Sequence, residues 1–324
     1  MTRDYDVITV GETTMDAFMT LHDSHDKYHL TTEGELCFRH GEKINVERYD
    51  FLMGGNATNV AVGLARLGLK ATLCSEIGDD EFSIKIRNSL ATEHIERLLM
   101  IQTPGQSSFS VIINFKTDRT IFVQDVEREH NFQFPEVSAK YMYLTSLGHK
   151  WEHVYQTVLD FVAEHGSRLA FNPGHLQLEE GKDIIHKVLQ KTEILFVNKE
   201  EAELLLFNHY GEKDDDSEGY IQRLANSLQK IGPKNIVITN GREGSHALNE
   251  KGEFYSQPMA EGEVVERTGA GDAYTTGFIG ATVLGLPIQK AMEWGSVNAA
   301  SVVGAIGAEP GLLTKEQMED RVKS

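Results

Sequence analysis

The sequence predicts an α/β protein built on a doubly wound, mostly parallel sheet flanked by helices, with a small β-sheet inserted beside it. Three observations lead there. From residue 141 onward, short apolar strands alternate with amphipathic helices, the pattern of a parallel sheet wound through helical crossovers. Polar residues recur just after those strands, at Asn172, Asn198 and Thr239, where open α/β sheets place their ligands. Two earlier stretches, about 17–50 and 105–125, lack helical periodicity and carry strand patterns instead. The chain reads as a single domain over residues 1–324, with those two stretches forming the β insertion.

Taken in order, Val7-Ile8-Thr9-Val10 is a short apolar strand that stops at Gly11, and Glu12 to Asp16 follow at its C-terminal end. Residues 20–50 are polar and His-rich, with strands expected around Leu36-Cys37-Phe38 and Ile44-Asn45-Val46. His25 and His29 stand four apart, but without further ligands they do not predict a metal site. Gly54-Gly55-Asn56-Ala57-Thr58-Asn59 opens a helix whose buried face is Ala57, Val60, Ala61, Leu64 and Leu67, closed by Gly68. Ala71 to Cys74 is the next strand, and residues 107–124 alternate as a hairpin turning at Asp118-Arg119. Strands then follow at Tyr141–Leu144, Leu169–Asn172, Ile194–Val197 and Ile236–Thr239, interleaved with helices over 151–165, 181–190 and 219–230. The charge run from Lys213 to Glu218 reads as a solvated loop.

Composition narrows the function classes. Hydrophobic residues at 40% and charged residues at 25% suit a globular protein with a sizeable core. A formal net charge of −18 argues against nucleic-acid and anionic-membrane partners. An anionic substrate therefore needs local donors. Cys37 and Cys74 are the two cysteines, too few for a disulfide framework or a thiolate zinc site. Met1 to Val10 lacks the basic segment and apolar run of a secretory signal, and no run approaches 18 apolar residues. A cytoplasmic protein is expected.

The stretch that carries chemistry is Glu266-Arg267-Thr268-Gly269-Ala270-Gly271-Asp272-Ala273, followed by a small and apolar helical segment through Gly277, Phe278, Ala281 and Leu284. Glycines leading into a helix let N–H groups face an anion at the positive end of the helix dipole. A carboxylate in that first turn stands beside any phosphate bound there and can take a proton from an attacking hydroxyl. The combination points to phosphoryl transfer. A glycine-rich turn followed by an acid is also a common turn, so the rest of the chain has to decide. Asn198 has the alternative reading of a helix cap, and Thr239-Asn240-Gly241 that of a turn. Gly181-Lys182 lacks the upstream glycine of a Walker A loop. Tyr274 occupies the third-glycine position of a dinucleotide fingerprint, and no Gly-x-Ser-x-Gly elbow occurs.

With these residues in view, the chain resembles the ribokinase-like (PfkB) carbohydrate kinases. Gly54-Gly55-x-x-x-Asn59-x-Ala61, with Gly68 and Gly78 behind it, matches the first family signature, and Thr268-Gly269-Ala270-Gly271-Asp272 the second. Asn198-x-x-Glu201 and Thr239-x-Gly241-x-x-Gly244 lie between them in family order, so the resemblance runs from the first strand to Gly311. It implies a ribokinase-like fold whose β insertion is a lid over the substrate. It also implies an ATP-dependent sugar kinase acting on a primary hydroxyl of a ribose- or hexose-like sugar, with Asp272 as catalytic base. The N–H groups of Gly269, Ala270, Gly271 and Asp272 form the anion hole. Asp16, Gly54, Gly55 and Asn59 resemble the sugar-binding set. Asn198 and Glu201 resemble the pair that organises Mg²⁺, with Glu201 acting through water. Thr239, Gly241 and Gly244 resemble the nucleotide loop, with Asn298 bordering adenine. A homodimer through the lid is implied as well.

Two departures qualify the resemblance. Arg267 stands before Thr268, where an Asp of a monovalent-cation site is expected, and a fixed guanidinium repels K⁺, so such an ion is not expected here. Phe171-Asn172-Pro173-Gly174 replaces the Asp-x-Asn-x-Arg usual in fructokinases and ketodeoxygluconate kinases, which is nearer to ribokinase. The first alternative is a nucleoside kinase on the same scaffold, with Phe18, Phe38, Phe109 or Phe122 stacking on the base. A sugar-phosphate kinase using Arg39, Lys43 or Arg119, and a sugar-binding protein without catalysis, follow behind it. A Rossmann NAD enzyme lacks its fingerprint.

Overall fold

The computed structural model describes residues 2–116, 118–124, 126–210 and 219–323, and the charge run at 213–218 lies outside the described residues. The first strand, β1 (Arg3–Val10), lies inside a nine-stranded sheet. β2 (Thr14–Thr20), β3 (Tyr28–Leu30), β4 (Leu36–Phe38) and β5 (Arg48–Gly54) leave that sheet before α1 (Asn56–Arg66) returns to it. The chain continues through β6 (Ala71–Ile77), α2 (Glu81–Thr92) and β7 (Met100–Gln102), then leaves again in β8 (Ser108–Phe115) and β9 (Asp118–Gln124). The second half runs β10 (Val137–Leu144), α3 (Glu152–His165), β11 (Arg168–Phe171), α4 (His175–Glu180), α5 (Asp183–Lys191), β12 (Thr192–Asn198) and α6 (Lys199–Tyr210). It then passes through α7 (Tyr220–Ile231), β13 (Asn235–Thr239), β14 (Ser245–Leu248) and β15 (Phe254–Gln257), and closes with α8 (Ala270–Val283), α9 (Ile288–Val303) and α10 (Lys315–Lys323).

The sheet order is β15-β14-β13-β12-β11-β10-β1-β6-β7, parallel throughout except for the antiparallel β14 and β15 at one edge. The chain winds outward from β1 to β6 and β7, then reverses at β10, so the crevice at the strand ends opens beside β1 and β10. Alternation along each strand feeds two cores. Ile8, Val10, Met142 and Leu144 pack under α3, α5 and α7, while Val7, Tyr141 and Tyr143 pack under α1, α8 and α9. Strands buried on both faces must be apolar throughout, which is why the strand–helix alternation beyond residue 141 is so plain in the sequence. The expected fold class is therefore the observed one.

The lid is a four-stranded sheet of order β5-β2-β8-β9, with β3 and β4 as a small separate hairpin. The hairpin expected over 107–124 is β8 and β9, paired antiparallel. The strand expected at Ile44-Asn45-Val46 does not form. Those residues are irregular, and Ile44 and Val46 pack instead against Leu21, Tyr28 and Phe115. Apolar alternation there reflects packing onto a small satellite core, without a ladder of strand hydrogen bonds.

Cross-strand rows fix what each lid face carries. Leu52, Asp16, Ser110 and Val123 form one row, Asp50, Phe18, Ile112 and Ile121 the next, and Arg48, Thr20, Asn114 and Arg119 the third. This face turns toward the body, where a Cβ added at Gly307 would overlap Leu52 and touch Phe18. The opposite face carries Phe51, Ala17, Val111 and Phe122 in one row.

Candidate active site

The helix α8 starts at Gly269, which takes a left-handed conformation (φ 78°), and a Cβ there would overlap Ala308. Only glycine fits, and that turn aims the first N–H groups of the helix outward. The first four N–H groups of any helix lack carbonyl partners inside it, so those of Gly271 and Asp272 stand ready for an anion. Nothing lies within 4 Å of a Cβ built on Gly271, so the approach is open.

Asp272 sits in that first turn, buried, with its Oδ2 accepting a hydrogen bond from Asn59 Nδ2 at 2.8 Å. Burial pushes its carboxyl up to about 7; the Asn59 bond opposes the rise and the charge of Glu201 adds to it. A carboxylate poised near neutrality is what a general base needs. Asn59 belongs to the buried face of α1, and its Oδ1 is shut away from solvent without a partner. That acceptor is left unsatisfied.

Asp16, on β2, is buried and takes a hydrogen bond from Thr14 Oγ1 at 2.8 Å. Burial raises it to about 6, against hydrogen bonds from Thr14 and Ser110 and with the charge of Glu266. Gly54 is paired beside it, and a Cβ at that position would overlap the Asp16 carboxylate. Gly55 has φ 98°, and a Cβ there would overlap the carbonyl of Glu12. Both glycines are needed to bring the lid root and the start of α1 against the end of β1.

Asn198 and Glu201 form a reciprocal cap at the start of α6. Glu201 N donates to Asn198 Oδ1 at 2.8 Å, and Asn198 N donates to Glu201 Oε2 at 2.9 Å. The cap reading is correct, and it leaves both residues on the wall of a cavity of about 300 Å³ that also holds Asn172, Arg119, Arg267, Thr239 and the run Gly269 to Asp272. Burial raises the Glu201 carboxyl. Among the described residues, no group of three or more His, Cys, Asp or Glu gathers to hold a metal. One half-used carboxylate beside an asparagine fits Mg²⁺ that is held through water and by phosphate oxygens.

A second cavity of about 250 Å³ adjoins the first, lined by Thr239, Gly241 and Gly244 together with Tyr274, Ser296, Ala299 and Ala300. Asn298, expected beside adenine, is not on that wall. Its amide is spent inside the core, donating to Ala273 O at 2.8 Å and accepting from Leu313 N at 3.1 Å. Its neighbours Ala299 and Ala300 line the cleft instead. Adjacent positions on a helix face different ways, which a motif read along the chain does not reveal.

The acid this loop buries is Glu266, one residue before Arg267. Glu266 accepts from Thr268 N at 2.7 Å and Thr268 Oγ1 at 2.5 Å, and from Gly307 N at 3.4 Å. Arg267 is exposed and lines both cavities. The loop thus buries a carboxylate one residue before Arg267, while the guanidinium faces the clefts. Glu309 closes the far side. Its Oε1 is buried without a partner, and burial pushes its carboxyl up to about 8, with Arg66 pulling against Glu93 and Asp16. Sequence reasoning assigned no role to Glu266 or Glu309, since neither sits in a recognisable spacing with its partners.

The four phenylalanines proposed for base stacking fall in different places. Phe18 is fully buried on the body-facing side of the lid, and Phe109 stacks on Phe82 with ring centres 5.1 Å apart. Phe38 lies in the small hairpin, and Phe122 points to the opposite lid face.

A family model described as pfkB family carbohydrate kinase matches residues 6–315. An ATP-dependent 6-phosphofructokinase of Thermoanaerobacterium thermosaccharolyticum is 24% identical, covering 99% of this chain and 96% of its own. A 5-dehydro-2-deoxygluconokinase of Geobacillus thermodenitrificans is 24% identical over 84% of each. Among solved structures, the ribokinase of Thermotoga maritima superposes with a TM-score of 0.77 at 20% identity, covering 99% of this chain and 100% of its own. The nucleoside kinase of Methanocaldococcus jannaschii gives 0.77 at 21% identity, with 98% of each chain covered. At such identities these structural likenesses speak for the fold alone.

Proposed function

The chain belongs to the pfkB family of carbohydrate kinases, and on that premise we propose that it transfers the γ-phosphoryl group of ATP to a primary hydroxyl of a small ribose- or hexose-like sugar. The observation that carries this reading is Asp272: a buried carboxylate near neutrality, in the first turn of a helix whose N–H groups face an open cavity.

The sugar lies between the lid and the ends of the strands. Asp16 and Asn59 Oδ1 accept from its hydroxyls, a pairing suited to vicinal diols. Its reacting hydroxyl meets Asp272, which takes the proton as the oxygen bonds to the γ-phosphorus and the bond to ADP breaks. Of the four N–H groups expected in the anion hole, Ala270 N is turned back to the carbonyl of Arg267 at 3.4 Å, and those of Gly271 and Asp272 meet the charge on the transferring group, the preorganised stabilisation on which such reactions depend. Asn198 and Glu201 would hold Mg²⁺ through water, and the bound ion would supply neutralisation of phosphate charge. The cleft of Thr239, Gly241 and Gly244 takes the nucleotide. The lid excludes water that otherwise hydrolyses ATP.

A sugar is preferred to a nucleoside because none of Phe18, Phe38, Phe109 and Phe122 offers a free ring face over Asp16. The test is ADP release with Mg-ATP across ribose, fructose, other hexoses, ketodeoxygluconate, adenosine, inosine and cytidine. Turnover confined to sugars supports the reading. Turnover on nucleosides alone keeps the chemistry and overturns the substrate.

A further inference from the structure

We propose that Arg267 is a nucleotide-binding residue whose guanidinium clasps the phosphates that remain with ADP after transfer. The inference deepens the phosphoryl-transfer reading of the Asp272 cavity and rests on it. The two clefts at the strand ends share four wall residues, Thr239, Arg267, Ala270 and Gly271. On one side of that junction lies the cleft of about 250 Å³, where Met259, Val264, Ala299, Ala300 and Val303 make an apolar seat for a base. On the other side lies the transfer end with Asp272. A nucleotide with its base in the first cleft and its terminal phosphate in the second has to pass its inner phosphates through the junction, beside Arg267.

The loop holds the root of Arg267 firmly and leaves its head unengaged. Val265 N and Glu266 N both donate to Val303 O, at 2.7 and 3.1 Å, and the Glu266 carboxylate accepts from Thr268 N at 2.7 Å. The carbonyl of Arg267 accepts from Ala270 N at 3.4 Å as the chain turns into α8. The backbone on both sides of Arg267 is thereby anchored just ahead of the anion site. Its guanidinium, by contrast, is exposed, and among the described residues no carboxylate or carbonyl engages it. The neighbouring cations stand differently. Arg119, on the wall of the transfer cavity, sits beside Glu266 Oε1 at 3.6 Å, and Lys199 lies over the Tyr220 ring at 5.5 Å. Arg242 lines the base cleft but not the transfer cavity.

Electrostatics gives that unengaged head its ligand. The chain carries a formal net charge of −18, and Asp272 and Glu201 line the transfer cavity. Phosphates entering there meet repulsion unless a cation stands close. A guanidinium fork matches phosphate oxygens two at a time, and an arginine without a protein partner gives none up when the nucleotide arrives. The phosphates it meets at the junction belong to ADP, and they stay in place from bound substrate to transition state. Contacts of that kind hold both states alike, so Arg267 sets nucleotide affinity and leaves the chemical step alone. Its exposure makes the contact sensitive to salt.

The test measures binding of ADP and of the non-hydrolysable ATP analogue AMP-PNP, each with Mg²⁺, to the wild type, Arg267→Gln and Arg267→Lys. Calorimetry is run at about 50 and about 300 mM NaCl, alongside steady-state kinetics on whichever sugar is turned over. In Arg267→Gln the affinities for ADP and AMP-PNP should fall together, by about tenfold. The KM for Mg-ATP should rise to match, with kcat and the sugar KM within about twofold of the wild type. Raising the salt should cost Arg267→Gln less ADP affinity than it costs the wild type, and Arg267→Lys should recover part of the lost affinity. Wild-type affinity for ADP in Arg267→Gln overturns the proposal, and sugar turnover retained in that variant keeps the kinase reading. A fall in kcat with ADP affinity intact overturns it too, since that assigns Arg267 to the transferring group. A loss of ADP affinity with the salt dependence unchanged marks a merely structural role, and the proposal fails again. A wild type that binds neither nucleotide sinks the kinase reading and this proposal together.

Discussion

Asp272 and Asp16 are both held above the ordinary carboxylate range by burial, at about 7 and about 6. In the proposed mechanism each acts as an acceptor in its ionised form, so raising the pH through these values should switch activity on. Log kcat/KM for the sugar should rise with pH up to about 7 and then level off. The slope should steepen from one toward two below about 6, where Asp16 also protonates. A profile measured from pH 5 to 9 that stays flat contradicts both assignments. At this scale the sequence was informative where function is local. The run Gly269 to Asp272 needs only its own backbone to make an anion site. It was silent where function is assembled at a distance: Asn59 reaches Asp272 across 213 positions, and Arg119 reaches Glu266 only because the lid folds over. Asn298 shows the reverse error, a motif-adjacent amide that the core uses for itself.

The elements serve to place those residues at the strand ends. The start of α6 is the clearest case, since the Asn198–Glu201 cap both begins the helix and fixes the carboxylate on the cavity wall. Asn198→Ala should cost about 1 kcal/mol of stability and raise the KM for Mg-ATP several-fold, leaving the sugar KM in place. Thermal melts and steady-state kinetics check this, and an unchanged Mg-ATP KM separates the cap from the phosphate site. A comparable device holds the loop after α9. Arg66 at the end of α1 pairs with Glu93 through two bonds of 2.9 and 2.7 Å and donates to the carbonyls of Glu309 and Leu312. Elements with strong period were legible in the sequence: α1, α3, α5, α7 and the inner strands. Several others were not. In α2 only Ser83, Ile86 and Leu90 are buried, too thin a stripe to stand out. The lid strands β2 and β5 mix polar and apolar residues because one face looks into a polar site.

At the scale of the whole molecule, the lid leaves an apolar surface on the side away from the site. Tyr49 is 68% exposed, Phe122 56% and Phe51 39%, with Phe51 and Phe122 on one cross-strand row. Phe51 and Phe122 stand at opposite edges of this sheet face, and a homodimer through the lid is a proposal that would cover these exposed aromatics. Light scattering after size exclusion should give twice the chain mass of 36.2 kDa for the wild type, and the monomer mass for Phe122→Asp. A monomeric wild type at micromolar concentration rejects the dimer without touching the chemistry. None of the described helices is long and apolar enough to cross a membrane. The parallel sheet and its reversal at β10 explain why one crevice collects residues from both ends of the chain. The doubly wound parallel sheet followed from strand–helix alternation, whereas the antiparallel edge of β14 and β15 was hidden in two strands of four residues each.

The measurement that reaches the centre of the account is a paired one on Asp272→Asn: turnover by ADP release, and sugar binding by calorimetry, under the same conditions as the wild type. The substitution keeps the shape and the Asn59 contact region but removes the proton acceptor. Turnover should fall by about 10²- to 10⁴-fold while sugar affinity stays within a small factor of the wild type. Turnover that survives in Asp272→Asn would contradict the assignment of this carboxylate as the base, and with it the mechanism built around the start of α8.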